Sequence, residues 1–246
     1  MSQWIVEAQM DMRALLRSPS FYIPAFAFPV VFYFFFGIMV DFSNGHSDYL
    51  LISYACFGIM GPPFFHLAVS IASERTHGWL TLKLLSPMKF NSFIFAKLVN
   101  SAAFSAVILL LLYIESAWLA GVRLWFWQWG LLTLIFTLGT LPFAALGMLI
   151  GALVADRAAA GVVNLIYLPM ALLSGLWFPL FLMPDWVQWI AYGLPSYHLV
   201  QLGYAVIGKG DEVSWYWHII YLCLFSISMM AVLRSLSGRF SGASHE

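Results

Sequence analysis

The chain has 246 residues, 62% of them hydrophobic and only 9% charged, with 11 basic and 11 acidic side chains and a formal net charge of zero. Soluble domains carry about 25% charged residues, so the polar material here cannot cover a water-facing surface, and lipid must be the solvent for much of the chain. Zero net charge speaks against nucleic acid as a partner, and Cys56 and Cys223, both inside apolar runs, point to packing rather than to a disulfide framework or a metal site.

In chain order, residues 2–18 place Trp4, Ile5, Ala8, Met12, Leu15 and Leu16 on one broad helical stripe. Glu7, Asp11 and Arg17 fall on other sides. This predicts an amphipathic helix lying at the membrane interface and ended by Ser18-Pro19. The early charges and the lack of a small-residue cleavage site argue for an uncleaved anchor over a signal peptide.

A membrane-spanning helix needs about 20 mostly apolar residues. Six runs qualify: about 21–40, 50–72, 94–119, 128–154, 159–182 and 214–233. Pro29, Pro142, Pro169 and Gly147 sit inside them, and neighbouring helices can satisfy the backbone groups that proline leaves open. Phe32, Phe34, Phe35 and Phe36 in the first run face lipid or a neighbouring helix. A further uncharged run, Trp186 to Gly208, carries Gln188, Gly193, Pro195, Ser196, His198 and Gln201, and reads as two short re-entrant helices with Trp186, Trp189 and Tyr192 at headgroup depth. With six spans, Arg13, Arg17, Arg75, Lys83, Lys89, Lys97, Arg157, Arg234 and Arg239 share one side, against Arg123 and Lys209 on the other. The positive-inside bias then puts both termini in the cytoplasm.

Residues 74–87, from Glu74-Arg75 through Gly78 to Ser86-Pro87, form a charged interruption between two greasy runs. Leu80, Leu84 and Met88 share a helical face, and Pro87 closes the helix. By itself this segment reads first as an ordinary cytoplasmic hairpin loop bearing positive-inside lysines. Polar residues inside the spans are the other candidates. Glu115 is costly at its depth and must pair, protonate or meet water, with Arg123 as a local partner. His66 and Asn164 either line a cavity or bond across a helix pair.

The pattern Ile71-Ala72-Ser73-Glu74-Arg75-x-x-Gly78-x-Leu80, ending in Leu85-Ser86-Pro87, resembles the first cytoplasmic loop of ABC-2-type transporter permeases. A second block, Leu173-Ser174-Gly175-Leu176-Trp177-Phe178-Pro179, then Met183-Pro184-x-Trp186 and Leu194-Pro195-Ser196-Tyr197-His198, resembles that family's later motifs, with Met183 where leucine is commoner. The resemblance spans the whole chain. It implies an all-α membrane protein: six transmembrane helices in one domain (1–246), an N-terminal interface helix (1–20), a cytoplasmic coupling segment (73–89) and short external helices (183–208) before the last span.

By the same resemblance, Glu74, Arg75, Gly78, Leu80, Leu84 and Pro87 couple the chain to an ATPase. Glu115, His66, Asn164 and Ser174 are pathway candidates, and Pro184, Trp186, Pro195 and His198 belong to an external gate. The implied function is the permease of an ATP-driven exporter of a drug, antibiotic or lipid-like compound, with polysaccharide or glycolipid export as the alternative. The implied partners are two copies of a separate ABC ATPase subunit, a second copy of this chain and membrane lipid, in a bacterial inner membrane. ATP and magnesium would bind the partner, since the chain has no Gly-x-x-x-x-Gly-Lys-Ser/Thr phosphate loop; its Gly208-Lys209 pair lacks that context. A remote alternative is an intramembrane serine protease using Ser174 with His198 or His218, although Leu172 stands where a Gly-x-Ser-Gly motif needs glycine.

Overall fold

A computed structural model describes residues 3–40, 47–85 and 90–242. Its regular structure there is helical, with no strand among the described residues. The helices in order are α1 (Gln3–Leu16), α2 (Pro19–Tyr33, continuing as a π turn over Phe34–Met39), α3 (Ser47–Thr76), α4 (Trp79–Leu85), α5 (Phe90–Trp118), α6 (Phe126–Leu138), α7 (Leu141–Leu153), α8 (Asp156–Leu173), α9 (Asp185–Ala191), α10 (Pro195–Val206) and α11 (Trp215–Gly242). A short 3₁₀ turn, Leu180–Leu182, precedes α9.

Five segments are long and apolar enough to cross a membrane: Ser47–Thr76, Asn91–Trp118, Phe126–Leu153, Asp156–Leu173 and Trp215–Ser235. The first run read from the sequence gives a shorter apolar helix, Ile23–Met39. Two further boundaries differ from the sequence reading. The run at 128–154 is broken between Leu138 and Leu141, because Pro142 has no N–H to continue the α6 ladder and the side chain of Leu199 lies where a Cβ on Gly139 would stand. The run at 159–182 ends as a helix at Leu173. Gly175 follows in a left-handed conformation (φ 77°), and Pro179 leads into the 3₁₀ turn.

The core is built around α3, which is buried along most of its length. Small residues set this packing. A Cβ on Gly147 of α7 would lie 2.6 Å from the carbonyl oxygen of Phe64, and one on Gly151 would lie 2.7 Å from that of Ala68. The two helices therefore touch backbone to backbone, the arrangement that small-x-x-x-small spacing permits in lipid. Pro62 and Pro63 interrupt the α3 ladder. The Ile59 carbonyl, which would otherwise accept from residue 63, accepts instead from Ser105 Oγ on α5 at 3.1 Å.

The bundle has two distinct ends. One gathers α1, α4, the end of α3 and the end of α7, where Arg75 Nη2 donates to the Val154 carbonyl at 2.7 Å. The other gathers α9, α10 and the starts of α3 and α6, where Lys209 pairs with Asp48 at 2.8 Å and Gln128 Nε2 donates to the Val206 carbonyl at 2.8 Å. Trp118, Trp125, Trp127, Trp186, Trp189, Trp215 and Trp217 are all exposed around this second end. Amphipathic indoles concentrate where lipid meets water.

Candidate functional site

The densest chemistry lies at the α4 end. His66, Ser70 and Glu74 stand four residues apart on α3, and Glu7 and Asp11 stand four apart on α1, so each set lines one helical face. Lys97 and Asn100, three residues apart, share one face of α5, and the three faces converge. Lys97 Nζ is fully buried and donates to Ser70 Oγ (2.6 Å), Glu74 Oε1 (2.9 Å) and Asp11 Oδ1 (3.0 Å). An ammonium group has three hydrogens, and all three are used. Asp11 Oδ2 meets His66 Nε2 at 2.8 Å and accepts from Asn100 Nδ2 at 2.8 Å. Lys83, on α4, bridges Glu7 Oε1 (2.6 Å) and Glu74 Oε2 (2.9 Å). Both ammonium groups also approach the ring of Phe93, at 4.9 Å for Lys97 and 5.0 Å for Lys83.

These contacts tie α1, α3, α4 and α5 into one ionic cluster. Burial alone would raise the Asp11 carboxyl, but the hydrogen bond and charge of His66 and the charge of Lys97 outweigh it and hold it well below the usual carboxylate range. Burial also works against a charged Lys83, yet its hydrogen bonds to Glu7 and Glu74 raise it above the ordinary lysine value. Charges taken out of water at this depth persist only when partners satisfy them.

The turn into α4 is made by Gly78 at φ 75°, a conformation costly for any residue with a Cβ. On α4, Leu80 packs toward the small core cluster of Leu67, Phe93 and Leu233. Trp79, Leu82 and Leu85 point outward, Leu85 with 79% of its surface exposed. Leu84 lies on α4, but its side chain and all of Pro87 fall outside the described residues. Glu74 reaches α4 directly through Lys83, whereas Arg75 turns to the end of α7.

The remaining sequence candidates are scattered. His66 belongs to the ionic cluster. Asn164 is exposed on α8. Glu115 is buried at the far end of α5 with Oε2 unpartnered, while Arg123 is exposed, and no ion pair joins the two among the described residues. Ser174 is buried and hydrogen-bonded to Ser196. His198 and His218 bond to each other, so the Ser–His pairing that a protease requires is not formed. Pro184 opens α9, Trp186 is exposed on it, and Pro195 opens α10.

Sequence reasoning missed Lys97, Asn100, Ser70 and the inward turn of Glu7 and Asp11. It set the two acids on the polar side of an interface helix and counted Lys97 as an ordinary loop-end cation. The four-residue repeats at 7/11 and 66/70/74 carried the signal.

This architecture is that of a helical membrane permease. Residues 41–233 match the family model described as ABC-2 family transporter protein. The chain belongs to that family. It is similar to the protein named "Putative transport permease YvfS" of Bacillus subtilis (strain 168), at 27% identity over 224 residues that cover 89% of this chain and 91% of the relative.

Proposed function

We propose that this chain is the permease subunit of an ATP-driven exporter, with the α4 end in the cytoplasm and α4 as the helix on which a separate ATPase subunit acts. The observation that carries the reading is the ionic cluster. A force on α4 passes through Lys83 to Glu7 and Glu74, and from Glu74 through Lys97 to Asp11. Three helices that reach into or along the membrane therefore move with α4. Its outward Trp79, Leu82 and Leu85 offer an apolar surface to a docking protein.

In this reading the Ile23–Met39 helix counts as a sixth crossing, both termini are cytoplasmic, and two copies of the chain form the translocating unit, each with its own ATPase. ATP and magnesium reside on the ATPase. The cargo is hydrophobic or amphipathic. An apolar groove of about 600 Å³ opens between α5, α7 and α11 in the half nearer α4, lined by residues such as Leu98, Met148 and Met230 with Arg234 at its mouth. Such a groove admits an apolar body with a polar head better than a long sugar chain. ATP binding shifts the pair between two packings by binding one better than the other.

The test is co-expression with a candidate ABC ATPase subunit from the same genome. The ATPase co-purifies with the wild type and is lost when Leu82 and Leu85 are both changed to Asp, while the permease stays folded. Retention of the ATPase by the double variant, or labelling of a cysteine at Leu85 only from outside the cell, overturns the assignment.

A further inference from the structure

At the α10 end, His198 of α10 and His218 of α11 meet ring to ring, with Nδ1 of one 2.9 Å from Nδ1 of the other. Each ring has a second contact. His198 Nε2 lies 3.0 Å from the Tyr192 carbonyl, and His218 Nε2 lies 3.2 Å from Asp211 Oδ1. Asp211 is an acceptor throughout: Oδ2 takes the phenol hydrogen of Tyr197 at 2.6 Å, and Oδ1 takes the backbone N–H of Val213 at 3.2 Å.

The hydrogens can be counted. A carbonyl only accepts, so His198 Nε2 must carry a hydrogen. A carboxylate only accepts, so His218 Nε2 must carry one too. The Nδ1–Nδ1 contact needs one more. Three hydrogens on four ring nitrogens make one neutral and one cationic imidazole. With two hydrogens, one contact faces lone pair to lone pair. With four, two N–H groups collide at the centre. Only the singly charged pair satisfies every contact.

We propose that His198 and His218 bind a single shared proton and act as a proton-operated clasp between α10 and the start of α11. Asp211 supplies the countercharge, and it is the carboxylate in ion-pair range of either ring among the described residues. The other titratable groups facing the pair are phenols. Tyr221 of α11 stacks on His198 at 3.8 Å between centroids and donates to the Gly193 carbonyl at 2.6 Å, while Tyr192 and Tyr197 lie near or against the cluster from the α9 and α10 side. Burial holds the His198 imidazole below its ordinary value, which resists a second proton. The clasp therefore closes at intermediate acidity and opens on either side of it. Opening removes one polar tie between α10 and the last long helix and leaves the Tyr221–Gly193 hydrogen bond in place. Which compartment it senses rests on the orientation proposed above; the proton count does not.

The experiment uses the full chain in nanodiscs with ring-¹⁵N histidine, titrated from about two units below to about two units above the ordinary imidazole pKa of ~6.5. His198 and His218 are assigned by single H198Q and H218Q variants. The expected result is one imidazolium and one neutral ring, or their fast average, persisting across a window wider than a lone imidazole shows. In parallel, the wild-type unfolding temperature minus that of either variant peaks near the middle of that window and shrinks on both sides. Two neutral rings through the whole middle range, or a difference curve that is flat with pH, overturns the proposal. Should the variants not fold, the pair is identified in the wild type by the ¹⁵N–¹⁵N coupling across its shared hydrogen and those spectra decide it, absence of any such coupled pair counting against the proposal; neither readout needs transport or an ATPase.

Discussion

Lys97 Nζ, with none of its side-chain surface exposed, sits 3.0 Å from Asp11 Oδ1, joining a helix that enters the membrane to one that precedes every membrane-spanning run. The two residues are 86 positions apart in the chain. Their meeting packs the N-terminal helix into the bundle by a buried ion pair.

Replacing Lys97 with Met leaves Asp11 and Glu74 buried without their shared cation. Removing one partner of a buried ion pair costs about 3–5 kcal/mol. The variant's unfolding temperature in detergent should fall clearly. Adding Asp11→Asn and Glu74→Gln should restore part of the loss, because the orphaned charges go with it. No recovery in the triple variant would show that Lys97 acts through shape alone.

Asp11 sets an acid limit. Its carboxyl is held low in the folded protein, while an unfolded aspartate binds its proton near pH ~3.9. Below that value the unfolded chain binds more protons, so this contribution is intact above about pH 4 to 5 and fades as pH falls further. Asp11→Asn should lower stability at neutral pH and flatten the acid limb of the stability profile. A profile parallel to wild type would contradict the pairing with His66 and Lys97.

Gly147 and Gly151 should tolerate no side chain. Even a methyl group at Gly147 meets the Phe64 carbonyl oxygen at 2.6 Å, and backbone cannot rotate aside as a flexible side chain can. Gly147→Ala and Gly151→Ala should each destabilise by about 1–3 kcal/mol, the usual overpacking range. Gly161→Ala, where nothing lies within 4 Å, is the control and should be neutral or mildly stabilising. Thermal unfolding of the three variants side by side checks this.

Lys83 is only partly exposed, and Lys83→Ala leaves the buried Glu7 without the cation it meets, so stability should fall, though less than for Lys97→Met because water reaches Lys83. A second effect should appear in coupling. ATP hydrolysis by the co-purified ATPase should continue while transport into vesicles falls, because α4 has lost its link to Glu7 and Glu74. Equal loss of both activities would place Lys83 in ATPase docking instead.

Much of the layout was legible. The long apolar runs marked every long helix, Gly78 and Pro195 marked turns, and the Glu74–Gly78 block pointed to α4. Two spans stand with altered helix boundaries, each for a local reason. The run at 159–182 looked continuous because Gly175 and Pro179 are short interruptions in an apolar stretch, and hydropathy does not register a left-handed backbone. The run at 128–154 hid a break at Gly139–Thr140 that Leu199 from α10 occupies. His198 was legible as a polar residue in an apolar region, but its partner at position 218 was not.

By itself the sequence determined that this chain dissolves in lipid and where it turns, because transfer of apolar side chains out of water is a local, additive property of each run. Only the packed helices decided which polar groups meet. The rotation of α3, set in part by its close backbone contacts with Gly147 and Gly151 of α7, and the packing of α1 and α5 against it bring Asp11, His66, Glu74 and Lys97 to one point, while Asn164 on α8 faces out. That rotation depends on shape complementarity between distant segments, which no single stretch of sequence contains.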